Sequence, residues 1–172
     1  MKLGPTTWDV GVPPRDEWPD APTRSEAGDL LTDVVLTIFR VNASLLDAAQ
    51  GLAAAGGLTA AWWQVLGAII DEPRSVAEIG RRMGLSRQAV LRVADLLVGD
   101  HLAEYQINPA HKRAKLLACT EAGYWSIRRV ALVQRPWADR IAAQLDRDQL
   151  LRVRSTLEDL LALLETDHVR RC

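Results

Sequence analysis

The chain has very little sulfur and no strong charge of either sign. Its 172 residues include two cysteines, Cys119 and Cys172, and three histidines, His101, His111 and His168. Two cysteines do not make a disulfide framework. These five side chains show no recognisable zinc spacing, so neither a metal nor another cofactor is expected. No apolar run is long enough to span a membrane, and no signal peptide opens the chain. The expectation is a cytoplasmic protein with no membrane partner. No Ser-His-Asp arrangement, Gly-rich phosphate loop or paired-carboxylate motif stands out, so nothing supports an enzyme.

Charge balance alone argues against nucleic acid: 21 Lys and Arg stand against 22 Asp and Glu, a net charge of −1. Distribution along the chain changes that reading. Residues 1–73 carry four basic and ten acidic groups, a balance of −6. Residues 74–115 carry eight basic groups and four acidic ones, a balance of +4. Residues 116–172 carry nine and eight, a balance of +1.

The basic segment coincides with a pattern. Ser75 and Glu78 form a capping box, in which hydroxyl and carboxylate answer each other's orphan N–H groups. Val76, Ile79 and Met83 then share one helical face. Gly84 suits the left-handed residue that stops a helix, and Ser86 can cap a new one. In that second helix Val90, Val93, Ala94 and Leu97 gather on one side, with Ala89 and Leu96 at its edge. Arg87, Gln88, Leu91, Arg92 and Asp95 fall opposite. Arg, Gln and Arg on an exposed N-terminal face can read guanine and adenine edges in a major groove. Leu91 is either an ordinary exposed leucine or a contact to a thymine methyl.

After Gly99 the period changes to two. Residues 102–107 alternate as one strand, Asn108-Pro109 starts a turn, and Leu116 to Cys119 return as a second strand. Between them His111, Lys112, Arg113 and Lys115 form a basic loop. Thr120 caps the next helix, with Glu121 in its first turn. A basic hairpin beside such a helix grips phosphates and adds little sequence information.

These segments resemble the MarR family of winged helix-turn-helix regulators. The residues that carry the resemblance are LTAAWWQVLGAI (58–69), SVAEIGRRMGLSRQAVLRVADLL (75–97) and NPAHKRAKLLACTEAG (108–123), with the long helices on both sides; it covers about Ser25 to Leu164. The resemblance implies a mainly α fold with a small β-wing, in which N- and C-terminal dimerisation helices flank a winged helix-turn-helix. It implies a homodimeric transcription factor, a repressor, bound to a palindromic operator of double-stranded DNA. Release by a small aromatic effector, or by cysteine oxidation, is common in the family. Ser75, Ser86, Arg87, Gln88, Leu91, Arg92, His111, Lys112, Arg113 and Lys115 are the expected DNA contacts, Ser75 and Ser86 through N–H groups offered to phosphates. One position departs: the family commonly has Asp where this chain has His111. That Asp braces the wing, so the wing here is expected to be braced differently, or to respond to pH.

The rest of the chain divides at composition shifts. Residues 1–24 form an acidic tail in which Pro5, Pro13, Pro14, Pro19 and Pro22 preclude a helix of any length. Trp8 and Trp18 suggest that the tail is pinned over the body or over a partner subunit; plain disorder is the alternative. Residues 25–57 form an N-terminal dimerisation helix. Thr23 and Glu26 are expected to cap it, it runs to about Ala55, and Gly56-Gly57 end it. Its apolar residues cover a wide arc and need more than one neighbour. Residues 58–119 form the DNA-binding domain. It opens with a helix capped by Thr59 that ends near Ile70. Family ligands often bind beside this helix. Arg40, Trp62 and Trp63 are the candidate lining, although core packing explains the two rings as well. Residues 120–172 form C-terminal dimerisation helices. The first runs to about Leu145 and should be kinked or divided at Pro136. Asp146 starts the second, which is rich in leucine.

Two functional readings of different class therefore stand. One is the DNA-binding regulator. The other is a winged-helix protein-interaction module that has lost DNA binding. A cysteine redox regulator is a variant of the first.

Overall fold

The computed structural model describes the backbone of residues 11, 14–110 and 114–171, with side chains as far as residue 167. The chain divides into two compact units, Met1–Ala43 and Ser44–Cys172.

In the first unit a 3-10 turn, Arg15–Glu17, precedes the long helix α1, Glu26–Ala54, which continues into the second unit. The Arg15 guanidinium lies 5.7 Å from the centre of the Trp18 ring. Trp8 lies outside the described residues. The cap of α1 differs from the expected one. Ser25, not Thr23, accepts the Gly28 N–H, at 3.1 Å. Starting there puts Glu26 and Asp29 in the first turn, where they offset the helix dipole. Arg24 is drawn forward instead, to Thr32 and Asp29.

The second unit is a winged helix with helical extensions. After α1 come α2 (Ala60–Ala68), β1 (Arg74–Ser75), α3 (Val76–Met83) and α4 (Arg87–Gly99). Then follow β2 (Ala103–Gln106), β3 (Leu116–Cys119), α5 (Glu121–Ala142) and α6 (Arg147–Arg171). The sheet has the order β1-β3-β2 and is antiparallel throughout. Tyr105 and Arg74 both pair with Leu117, from opposite sides. The strand β1 was not expected: two residues after a proline show no period.

Local chemistry starts each helix. Thr59, Ser75, Ser86 and Thr120 are extended residues whose hydroxyls accept the N–H three positions on. Asp146 does the same for α6, accepting from Asp148 and Gln149. Gly84, at φ 63°, turns α3 out of its helix. Thr120 also donates to the His101 carbonyl at 2.7 Å. That bond ties the start of α5 to the turn after α4.

The core lies among α2, α3, α4, the sheet and α5. Leu66, Ile69, Ile79, Val90, Leu97, Leu117 and Val130 are fully buried there. Two glycines make the close approaches possible. A Cβ on Gly80 would lie 2.8 Å from the Leu85 carbonyl oxygen, which sets the tight turn between α3 and α4. A Cβ on Gly123 would run into the Leu102 carbonyl and the Cys119 sulfur.

One further expectation is corrected and another is narrowed. Leu96, expected at the edge of the core, is half exposed; it faces away with Arg92, one helical turn earlier. Pro136 does not divide α5, which is continuous from Glu121 to Ala142. The surrounding turn faces solvent (Leu132 is 61% exposed), where water can satisfy the carbonyl that proline leaves without a donor.

Candidate nucleic-acid interface

Ser86 caps α4 at the Ala89 N–H, 3.1 Å away, and so fixes where the helix begins. From that start the helical repeat places Val90, Ala94 and Leu97 in the core, fully buried. Arg87, Gln88, Leu91, Arg92 and Asp95 are all exposed. Leu91 is 45% exposed, beside Arg87 and Asp95 in a cleft of about 810 Å³. Ser75 and Arg81, at the cap and in the last turn of α3, line that cleft, as do Tyr105 and Lys115 of the wing. The structure thus brings Ser75, Arg87, Leu91 and Lys115 to one concave surface. Gln88 and Arg92 extend the exposed face of α4 beyond it. His111, Lys112 and Arg113 lie outside the described residues.

Two basic residues near the cleft differ sharply in how far their charge is available. Arg74, counted above in the basic segment, bonds to Glu72 at 2.7 Å, to Asp71 at 3.0 Å and to the Ala68 carbonyl at 3.2 Å. Its side chain is only 11% exposed, so it fastens the end of α2 to β1. Arg87 on α4 is exposed, and no acid bonds to it among the described residues.

Ser75 is also engaged. Its hydroxyl donates to the Glu78 carboxylate at 2.6 Å, and its N–H donates to the same oxygen at 2.8 Å. These bonds, the hydroxyl first, lower the Glu78 carboxyl below the usual carboxylate range. Both donors of Ser75 are therefore spent within the capping box.

The wing is joined to α4 by a contact that sequence periodicity did not reveal. Tyr105 of β2 donates its hydroxyl to Asp95 of α4 at 2.8 Å. Lys115 places its ammonium 5.5 Å from the centre of the Tyr105 ring. Burial first, and then the bond and charge of Asp95, push the Tyr105 phenol up to about 12, so it stays a donor at neutral pH. The available signal was the alternation itself. In β2, Ala103 and Tyr105 face inward, while Glu104 and Gln106 face out and bond each other at 2.9 Å.

The candidate ligand residues are separated by the division of the chain. Arg40 is an exposed residue of α1 in the first unit. Trp62 and Trp63 are half-buried against the core of the second. Sequence reasoning missed Arg129 of α5. It donates to the Gly56 carbonyl at 2.6 Å, and its Nε is buried without an acceptor among the described residues. Cys119 is half-buried, and burial, then Glu121, push its thiol up to about 11. A thiol held protonated in this way is a poor redox sensor.

The sequence profile of the MarR family matches residues 56–114. An uncharacterised protein of Mycobacterium tuberculosis is 34% identical over 143 residues, covering 81% of this chain and 97% of that protein. Among solved structures, the transcriptional regulator MOSR of M. tuberculosis in complex with DNA superposes with a TM-score of 0.64 at 20% identity; the match covers 76% of this chain and 96% of that one. MarR of Staphylococcus aureus in complex with salicylate and kanamycin gives 0.68 at 16% identity, covering 80% and 93%.

Proposed function

The chain belongs to the MarR family, and from that premise we propose that it is a sequence-specific DNA-binding transcription regulator. In this reading it is a homodimer that represses from a palindromic operator and is released by a small aromatic molecule. One observation carries it. Helix α4 is fully buried on one side and presents Arg87, Gln88, Leu91 and Arg92 on the other, beside a cleft that residues of the wing also line. That is the arrangement of a helix aimed at a major groove with a wing at the adjoining backbone.

In this assignment Arg87, Gln88 and Arg92 read bases, and Leu91 meets a thymine methyl. Lys115, with His111, Lys112 and Arg113, holds the phosphate backbone. Ser86 fixes the start of the reading helix and offers the N–H groups of its first turn to phosphate. Ser75 contributes through its cap, which sets the start of α3.

The homodimer is supported by α6. Leu157, Leu161 and Leu164 fall on one helical face and are 42%, 58% and 57% exposed. An apolar stripe that bare indicates a covering surface, and a two-fold mate would supply it while spacing two recognition helices about one DNA turn apart. The effector class is supported by the salicylate complex of the S. aureus relative. Trp62 and Trp63, half-buried against the core of the second unit, are the residues proposed for it here.

Selection from random duplex DNA at two salt concentrations tests the reading. It should recover a palindrome with half-sites about one helical turn apart, at an affinity that falls steeply with salt. Arg92→Ala should lower that affinity about tenfold and relax one position of each half-site, within the ~1–3 kcal/mol of a good base contact. Recovery of no motif, with weak binding that ignores salt, would overturn it.

A further inference from the structure

We propose that Tyr105 is a positioning residue for DNA binding: pinned by Asp95 of the reading helix, it carries Lys115 of the wing at a fixed height over the cleft. The inference rests on the DNA-binding reading above and adds a specific mechanical part to it.

Three observations converge. First, the Tyr105 hydroxyl and the Asp95 carboxylate span two elements ten residues apart and meet at 2.8 Å. This is a charge-assisted hydrogen bond, shorter and more directional than a neutral one. Second, the Lys115 ammonium stands over the face of that same ring, at 5.5 Å, within the range of a cation–π contact. Third, Asp95, Tyr105 and Lys115 all line the cleft that also receives Arg87 and Leu91 of α4.

The geometry explains the presence of an acid on a face that should meet phosphates. Asp95 stands two turns along from Arg87, at the exposed side of α4. Its charge there opposes an incoming backbone. Given to the phenol, that charge holds the wing instead. The ring is a stiff spacer with only two torsions, so fixing its hydroxyl fixes the platform under Lys115. A lysine alone is a flexible four-carbon stem that must be ordered on binding. Resting it on an immobilised ring removes part of that cost before DNA arrives.

The test is a double-mutant cycle on the full-length protein, read by its affinity for the selected operator duplex. Tyr105→Phe removes only the hydroxyl and keeps the ring. It should weaken operator binding about fivefold and reduce the salt slope toward the loss of one phosphate contact. Lys115→Ala should weaken binding by a similar or larger factor. The double variant should be no weaker than Lys115→Ala alone, because the hydroxyl acts only through the lysine. Asp95→Asn keeps an acceptor and should preserve the coupling, whereas Asp95→Leu should abolish it. A merely structural role would lower the melting temperature and multiply the two single effects. Tyr105→Phe binding within twofold of wild type, or a double variant equal to the product of the singles, overturns the proposal while leaving DNA binding intact. A wild-type protein without salt-dependent DNA binding overturns the functional reading, and this one with it.

Discussion

Helices α4 and α6 are built from similar residues and meet opposite fates. In its 13 residues α4 buries Val90, Ala94 and Leu97 completely. Helix α6 is 25 residues long and richer in leucine, yet Leu150, Leu151, Leu157, Leu161, Leu163 and Leu164 all stay exposed within one chain. The difference is not in helix-forming tendency, since both sequences form helices. It lies in what stands opposite. Helix α4 faces α2, α3 and the sheet, whereas the apolar surface of α6 has no such cover among the described residues.

Truncating the two faces separates these cases. Leu97→Ala should cost about 3 kcal/mol, the usual loss for a fully buried leucine, and the loss should be the same at any protein concentration. Leu157→Ala with Leu161→Ala should cost little at high dilution. At concentrations where a dimer forms, the loss should grow and the melting temperature should depend on concentration. Thermal unfolding over a hundredfold concentration range checks both. Concentration-independent melting of the wild type would assign the α6 face to some other partner.

A smaller effect belongs to the start of α4. Ser86→Ala leaves the Ala89 N–H without its acceptor and should cost about 1 kcal/mol, with DNA affinity falling further because the reading face is anchored there. Chemical denaturation beside operator titration measures the two losses separately. The smallest effect is the pH dependence set by Cys119. Its thiol is raised in the folded state to about 11, so its contribution to stability is complete below the unfolded thiol value, roughly 8.5. That contribution is lost as pH rises from there through 11. Alkylation of the native protein at pH 8 should accordingly be slow. Rapid modification would revive a role for this thiol in redox control.

The same contrast explains what could be read from the sequence. Helices α3 and α4 were legible because their caps, Ser75 and Ser86, and their stop, Gly84, are local signals, and because one neighbouring core imposes a clear apolar face. The wing strands were legible from alternation. The two-residue strand β1 was not, since its existence depends on β3 lying alongside it. Leu96 was misplaced because a helical wheel shows the direction of a side chain and not whether anything waits there. The contact between Tyr105 and Asp95 was hidden for the same reason: each residue is ordinary in its own element. The neutralised state of Arg74 likewise required a view of Asp71 and Glu72 folded back onto it. Counting charges by segment included it in a basic surface to which it does not contribute.

The glycine at the start of α5 has a mechanical consequence. At Gly123 the helix rests directly on the backbone of Leu102, with no side chain between to act as a cushion. Thr120 fastens the same spot to His101. The joint between α5 and the base of the wing is therefore stiff, and the 22 residues of α5 form a rod roughly 33 Å long clamped at one end. A lever clamped in this way exchanges angle for distance. Tilting it by about 5° at its root swings its far end by about 3 Å over that length.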